Sequence, residues 1–153
     1  TYMRILKLLT IITIITVIQA CSTSRVVISH DTDPSKYSYV VFGEKLTGDR
    51  ELDDMIMAVQ NQIAATKLTV VSKQEGLTKT ILGESVLSPS IHISTEKWDG
   101  GHTYITITFW DYNTNQRIIV IKSSGIGLSI SQDQNIALGA IQKKLNKIFG
   151  YKQ

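Results

Sequence analysis

A chain of 153 residues, 42% hydrophobic and 19% charged, is long enough for one domain with one core and short for two. Its formal net charge of +3 rests on Arg4 and Lys7, both in an N-terminal stretch without acidic residues; taking those two from 16 basic residues leaves 14 against 13 acidic ones. A balance that even, scattered rather than striped, argues against nucleic acid as a partner, and a single cysteine excludes an intramolecular disulfide.

The first segment has the pattern of a secretion signal. Arg4 and Lys7 precede an apolar run from Leu8 to Ile18 broken only by threonines, followed by Gln19, the small Ala20 and Cys21. The run is too short for a membrane span, which needs about 20 apolar residues. A cysteine directly after the small residue distinguishes a lipoprotein signal, because its thiol takes a diacylglycerol before cleavage. The expected boundaries are a lipoprotein signal over residues 1–20, a lipidated N-terminus and tether over 21–38, and a single domain over 39–153. Ser22, in place of Asp, points to the outer membrane, with the domain facing the periplasm. Met3 is a more natural start than Thr1.

Within the tether, Val26-Val27-Ile28 has the composition of a short edge strand. Tyr39-Val40-Val41-Phe42 predicts a buried strand. Leu52, Met55, Ile56, Val59 and Ile63 recur at helical spacing, with Asp49 as cap and acidic residues in the first turn. Leu68 to Val71 predicts a second strand and Thr80 to Leu87 a third, interrupted by Gly83, with Ser88-Pro89-Ser90 as a turn. Thr103 to Tyr112 alternates strictly, Ile105, Ile107 and Phe109 on one face and Tyr104, Thr106, Thr108 and Trp110 on the other. Asp111 to Gln116 predicts a hairpin loop, and Arg117 to Leu128 the returning strand. Ser131 and Gln134 suggest a capping box for a last helix carrying Leu138, Ile141, Leu145 and Ile148, stopped by Gly150. The expected fold class is α+β: a two-layer sandwich of a mainly antiparallel sheet of four to five strands with two helices on one face.

Asp33-Pro34-Ser35-Lys36-Tyr37-Ser38-Tyr39 and the hairpin from Ile107-Thr108-Phe109-Trp110-Asp111 through Arg117 resemble the small bacterial envelope lipoproteins grouped as a domain-of-unknown-function family. The resemblance implies the same sandwich and an outer-membrane anchor, and it implies no catalytic residues.

Chemistry-bearing patterns are sparse. His30, His92 and His102 lack metal-ligand spacing, so neither a metal nor a cofactor is expected. Gly83-Glu84-Ser85 lacks the second glycine of a nucleophile elbow, and Gly125-Ile126-Gly127 fits a β-bulge better than a dinucleotide fingerprint. Glu84, Glu96, Asp99 and Asp111 are carboxylates without a recognisable pairing. The expected protein is therefore not an enzyme. Its candidate binding face is Tyr104, Trp110 and Tyr112, joined by Trp98 from the loop Lys97 to His102, because aromatics with polar tips favour interfaces. The expected partners are the membrane, through acyl chains on Cys21, and an envelope protein or cell-wall component. The alternative is a periplasmic carrier holding an amphiphile or small molecule between helices and sheet.

Overall fold

The computed structural model describes residues 21–43, 47–97 and 101–152. In chain order these give β1 (Cys21–Ile28), a 3-10 turn at Pro34–Lys36, β2 (Tyr37–Val40), α1 (Arg50–Ala64), β3 (Thr69–Val70), α2 (Lys73–Ile81), β4 (Ser85–Thr95), β5 (Thr103–Asp111), β6 (Arg117–Ile126) and α3 (Ile130–Phe149). The class is α+β, as expected. The sheet is larger than expected and mixed: six strands in the order β1-β6-β5-β4-β2-β3, with β2 parallel to both β3 and β4 and the other pairs antiparallel.

The alternation predicted for β5 decides the layering. Ile105, Ile107 and Phe109 are fully buried, together with Ile119 and Ile121 of β6, and Ile91 and Ile93 of β4 are buried beside them. α1 sets Met55, Ile56, Val59 and Ile63 against this face, and α3 adds Ala137, Ile141, Leu145 and Phe149. Phe149 meets Phe109 edge-on, ring centroids 5.3 Å apart. Each of these side chains other than Ala137 contributes about 1.5–3 kcal/mol when fully withdrawn from water.

Of the three caps expected, those at the start of α1 and the end of α3 are found, and the one at the start of α3 is displaced. Asp49 accepts from Leu52 N–H at 3.1 Å to open α1, and Gly150, at φ +75°, ends α3. The N-cap of α3 is Ser129 rather than Ser131, accepting from Gln132 N–H, with Gln132 returning to Leu128 N–H at 2.8 Å. Asp133, buried at this end, accepts from Gly127 N–H. Gly125 is not a bulge: it keeps register with both Ser22 and Thr103. Its side hydrogen is needed because a Cβ there would overlap the Asp133 carbonyl oxygen and lie 2.7 Å from Ala137 N. The register shift of this hairpin falls between Phe109 and Trp110 instead.

Three further expectations are corrected. The edge strand expected at Val26-Val27-Ile28 is present, but it takes in more of the stretch read as tether, running from Cys21 to Ile28 and paired along its whole length with β6. The region read as strand from Thr80 contains the end of a helix, α2, and β4 begins only at Ser85. Ser88-Pro89-Ser90 lies inside β4 and makes no turn. Leu87 accepts from Val41 N–H, so the odd residues of β4 aim their backbone toward β2; Pro89 comes where β2 has ended, and its missing N–H costs the sheet no bond.

α2 also breaks the expectation of helices on one face only. β2 to β3 and β3 to β4 are crossovers in opposite directions along the sheet, and the right-handed rule sends their helices to opposite sides. α2 accordingly covers Val41 and Val86, which are buried yet outside the main core cluster. Gly76 makes this approach: a Cβ there would overlap Val41 Cγ2 and touch the Tyr112 ring at 3.4 Å. Lys79 fastens the other end, its ammonium 4.4 Å from the Tyr39 ring centre and donating to Tyr39 Oη and Glu84 Oε1, each at 3.1 Å.

Where β5 turns, Asp111 holds the loop and the start of β2. Its Oδ1 accepts from Asn113 and Thr114 N–H, and its Oδ2 accepts from the hydroxyl of buried Tyr37 at 2.8 Å. Burial pushes the Asp111 carboxyl up, but the bonds from Thr114, Tyr37 and Asn113 outweigh it and hold it below the usual carboxylate range. Burial, then the Asp111 bond, push the Tyr37 phenol up. A carboxyl depressed in the folded state adds stability above its unfolded pKa and loses it as pH falls through its folded one. Asp111→Asn is therefore expected to cost about 1–2 kcal/mol at pH 7. The difference from wild type should shrink below about pH 4, read from urea midpoints at both pH values.

Candidate functional site

The face of β1, β6, β5 and β4 turned away from α1 and α3 is built from alternate residues, and the strand register sorts them into rows. Thr23, Ser124, Tyr104 and Ser94 form one; Arg25, Lys122, Thr106 and His92 the next; Val27, Val120, Thr108 and Ser90 the third. Beyond the register shift, Arg117, Trp110 and Ser88 make a shorter fourth. These rows hold hydroxyls, two aromatics, an imidazole and three permanent cations, and no carboxylate. Glu96 lies at one end, next to Thr95 of β4, and meets His102 Nδ1 at 3.3 Å.

Arg25 and Lys122 stand directly opposite each other in the ladder. Like charges in that position repel, and neither has an ion-pair partner among the described residues. Shallow depressions flank the pair. One, of about 320 Å³, is lined by Thr23, Arg25, Tyr104, Lys122 and Ser124; the other, of about 350 Å³, by Arg25, Val27, Arg117, Val120 and Lys122. Such a surface suits an anion bearing hydroxyl-bonding groups, with Tyr104 and Trp110 offering rings at either end.

The predicted aromatics do not gather into one cluster. Tyr104 is 42% exposed and stacks on His102 at 5.5 Å. Trp110 is half-buried on the same face, six positions away, about 20 Å along a strand, with the Arg117 guanidinium 5.8 Å from its ring centre. Tyr112 has the right parity but is half-buried against α2 at Gly76, so it leaves the candidate face. Trp98 lies outside the described residues. Arg25, Lys122 and Arg117 were not singled out in sequence, because their proximity follows from register rather than spacing.

Cys21 occupies the first position of β1, opposite Ile126. No helix of the described residues is long and apolar enough to cross a membrane. The three histidines lie apart: His30 is exposed beside Asp31, His92 is in the second row of the open face, and His102 sits between Glu96 and Tyr104.

No family model matches the sequence, and no curated protein matches it. Among solved structures the chain is similar to the PelC dodecamer from Paraburkholderia phytofirmans in space group P6, at 14% identity and a TM-score of 0.50, covering 87% of this chain and 100% of that one. A PelC variant from the same organism in space group C2 gives 15% identity and a TM-score of 0.51 over 86% of this chain and 100% of the other. A PDZ domain protein from Parabacteroides distasonis aligns at 9% identity and a TM-score of 0.47 over 84% of this chain and 36% of its own length. At such identities, what this chain shares with PelC is the fold.

Proposed function

We propose that the protein is a non-catalytic lipoprotein of the bacterial cell envelope, of the unknown-function lipoprotein type its sequence resembles. It is anchored through acyl chains on Cys21 to the outer membrane, on the periplasmic side, and its open sheet face binds an anionic envelope component there, a protein or a cell-wall polymer. The observation that carries the binding role is the opposed pair Arg25 and Lys122 on a carboxylate-free, hydroxyl-lined face. A repulsion built into the free protein is relieved by an anionic ligand. A carrier with its ligand between helices and sheet has less support, since Ile63, Ile105, Phe109, Ile141 and Leu145 fill that space with no exposure.

The test is quantitative capture from envelope extracts by wild type and by Tyr104→Ala/Lys122→Glu, two surface changes that leave the core untouched. Reversing one charge and removing one ring at an exposed site is worth about 1–2 kcal/mol, so specific capture should fall about tenfold and weaken further with salt. Equal capture by the variant would sink the role of this face.

A second reading is favoured by α2, whose outer side shows Leu77, Ile81 and Leu82 at 55%, 84% and 68% exposure. An apolar stripe of that kind marks an interface, and the fold is shared with chains of a dodecamer. On this reading copies of the chain assemble through α2. Sedimentation velocity should then show an oligomer that Ile81→Lys/Leu82→Glu reduces to monomer; a monomeric wild type removes the reading.

A further inference from the structure

We infer that the groove between the free edge of β1 and the C-terminal half of α3 takes an extended, acidic peptide segment of a partner protein as an added strand. This rests on the reading of the protein as an envelope interaction module and gives that module a second site, which borders the open face at Arg25. β1 ends the sheet, so among the described residues one side of its backbone has no strand beside it. Ser29 N–H donates to Ile118 O at 2.8 Å; by alternation Val27, Arg25 and Thr23 turn their backbone to β6, while Ser22, Ser24, Val26 and Ile28 turn theirs outward. Those outward groups form a template for one more strand.

The side chains of the same residues give the template a floor. Ser24, Val26 and Ile28 face α3, and with Pro34, Lys144, Lys147 and Ile148 they line a groove of about 640 Å³. The 3-10 turn closes it at the Ile28 end, where Asp33 is occupied in capping Ser35 N–H at 2.9 Å. Lys144 and Lys147, one helical turn apart, and Arg25 at the border have no ion-pair partner among the described residues. Apolar floor, unpaired backbone and unpaired cations together match a strand that alternates apolar and acidic side chains. An anionic glycan would satisfy the cations but leave the outward N–H and C=O groups without a ladder.

The experiment uses the mature full chain in detergent with a fluorescein-labelled pool of octapeptides in which Val or Ile alternates with Glu or Asp, and a matched pool carrying Lys in the acidic positions. The acidic pool should raise anisotropy saturably, and the basic pool should not. Lys144→Glu/Lys147→Glu should weaken binding tenfold or more. Ser24→Pro should do the same: its lost N–H points outward, so the pairing with β6 and the circular dichroism stay as in wild type. Amide exchange at Val26 and Ile28 should slow tenfold or more in the complex. The inference is overturned if the acidic pool does not bind, if both variants bind as wild type, or if binding brings no exchange protection at Val26 and Ile28. It is also overturned if Ser24→Pro dissociates an oligomer, since a second copy would then occupy the edge. Lys144→Glu/Lys147→Glu lies on α3 and touches neither depression of the open face, so it leaves capture through Tyr104 and Lys122 unchanged, and failure here and failure of the open-face role are separate results.

Discussion

Gly125→Val is expected to cost at least about 3 kcal/mol and to abolish cooperative unfolding at physiological temperature. Added bulk in a packed core usually costs about 1–3 kcal/mol because side chains can shift, but here the obstacles are backbone atoms, the Asp133 carbonyl oxygen and Ala137 N at 2.7 Å. The helix cannot yield locally. Ser123 Oγ donates to Ala137 O at 2.9 Å beside the glycine, and Asp133 is tied to Gly127 N–H on the other side. Displacing the first turns of α3 would unseat Ala137 and Ile141, both fully buried. Against a total stability of about 5–15 kcal/mol, the loss is large. Gly139→Ala is the control: it lies in the same helix with nothing within 4 Å of its Cβ, and should gain about 0.5–1 kcal/mol from helix propensity. Urea midpoints check both; a wild-type midpoint for Gly125→Val would mean that α3 does not rest on β6 there.

The elements legible in sequence are those whose burial is periodic. β5 and β6 alternate because one face is wet, and α1 and α3 carry stripes because one side of each is covered. α2 was missed for the opposite reason. Its buried residue is Gly76, and its large apolar residues Leu77 and Ile81 point outward, so it has no buried apolar stripe of the kind that α1 and α3 carry. The signal that would have found it is the capping box, Ser72 Oγ accepting from Glu75 N–H at 3.2 Å and Glu75 Oε2 accepting from Ser72 N–H at 2.9 Å. β1 was read as tether apart from Val26 to Ile28, because an edge strand with polar residues on both faces has no alternation to show. Pro89 carries the composition of a turn, yet β4 tolerates it because β2 has ended beside it and its missing N–H leaves no ladder bond unmade.

The candidate site was legible to the same degree. The parity of Tyr104 and Trp110 follows from β5 alone and holds in the structure. The removal of Tyr112 from the open face depends on α2, and the meeting of Arg25 with Lys122 depends on which strand lies beside β6; neither is encoded in local spacing.

Cys21→Ala is expected to shift the protein almost wholly from membrane to soluble fractions. Each buried methylene contributes about 0.8 kcal/mol, one acyl chain binds only marginally, and two or three hold effectively permanently; loss of the thiol removes every chain at once. The ladder adds a geometric consequence. Ser22, beside the anchor, is already paired opposite Gly125, so the acylated domain would have no slack and would sit directly on the membrane surface. The measurement that tests the account most directly is intact mass with membrane fractionation of wild type beside Cys21→Ala, expressed in a bacterium that processes lipoproteins. The account predicts a wild type that has lost residues 1–20, gained acyl mass and sediments with membranes, and a variant that does neither of the last two; cleaved, unacylated and soluble protein from both would contradict it.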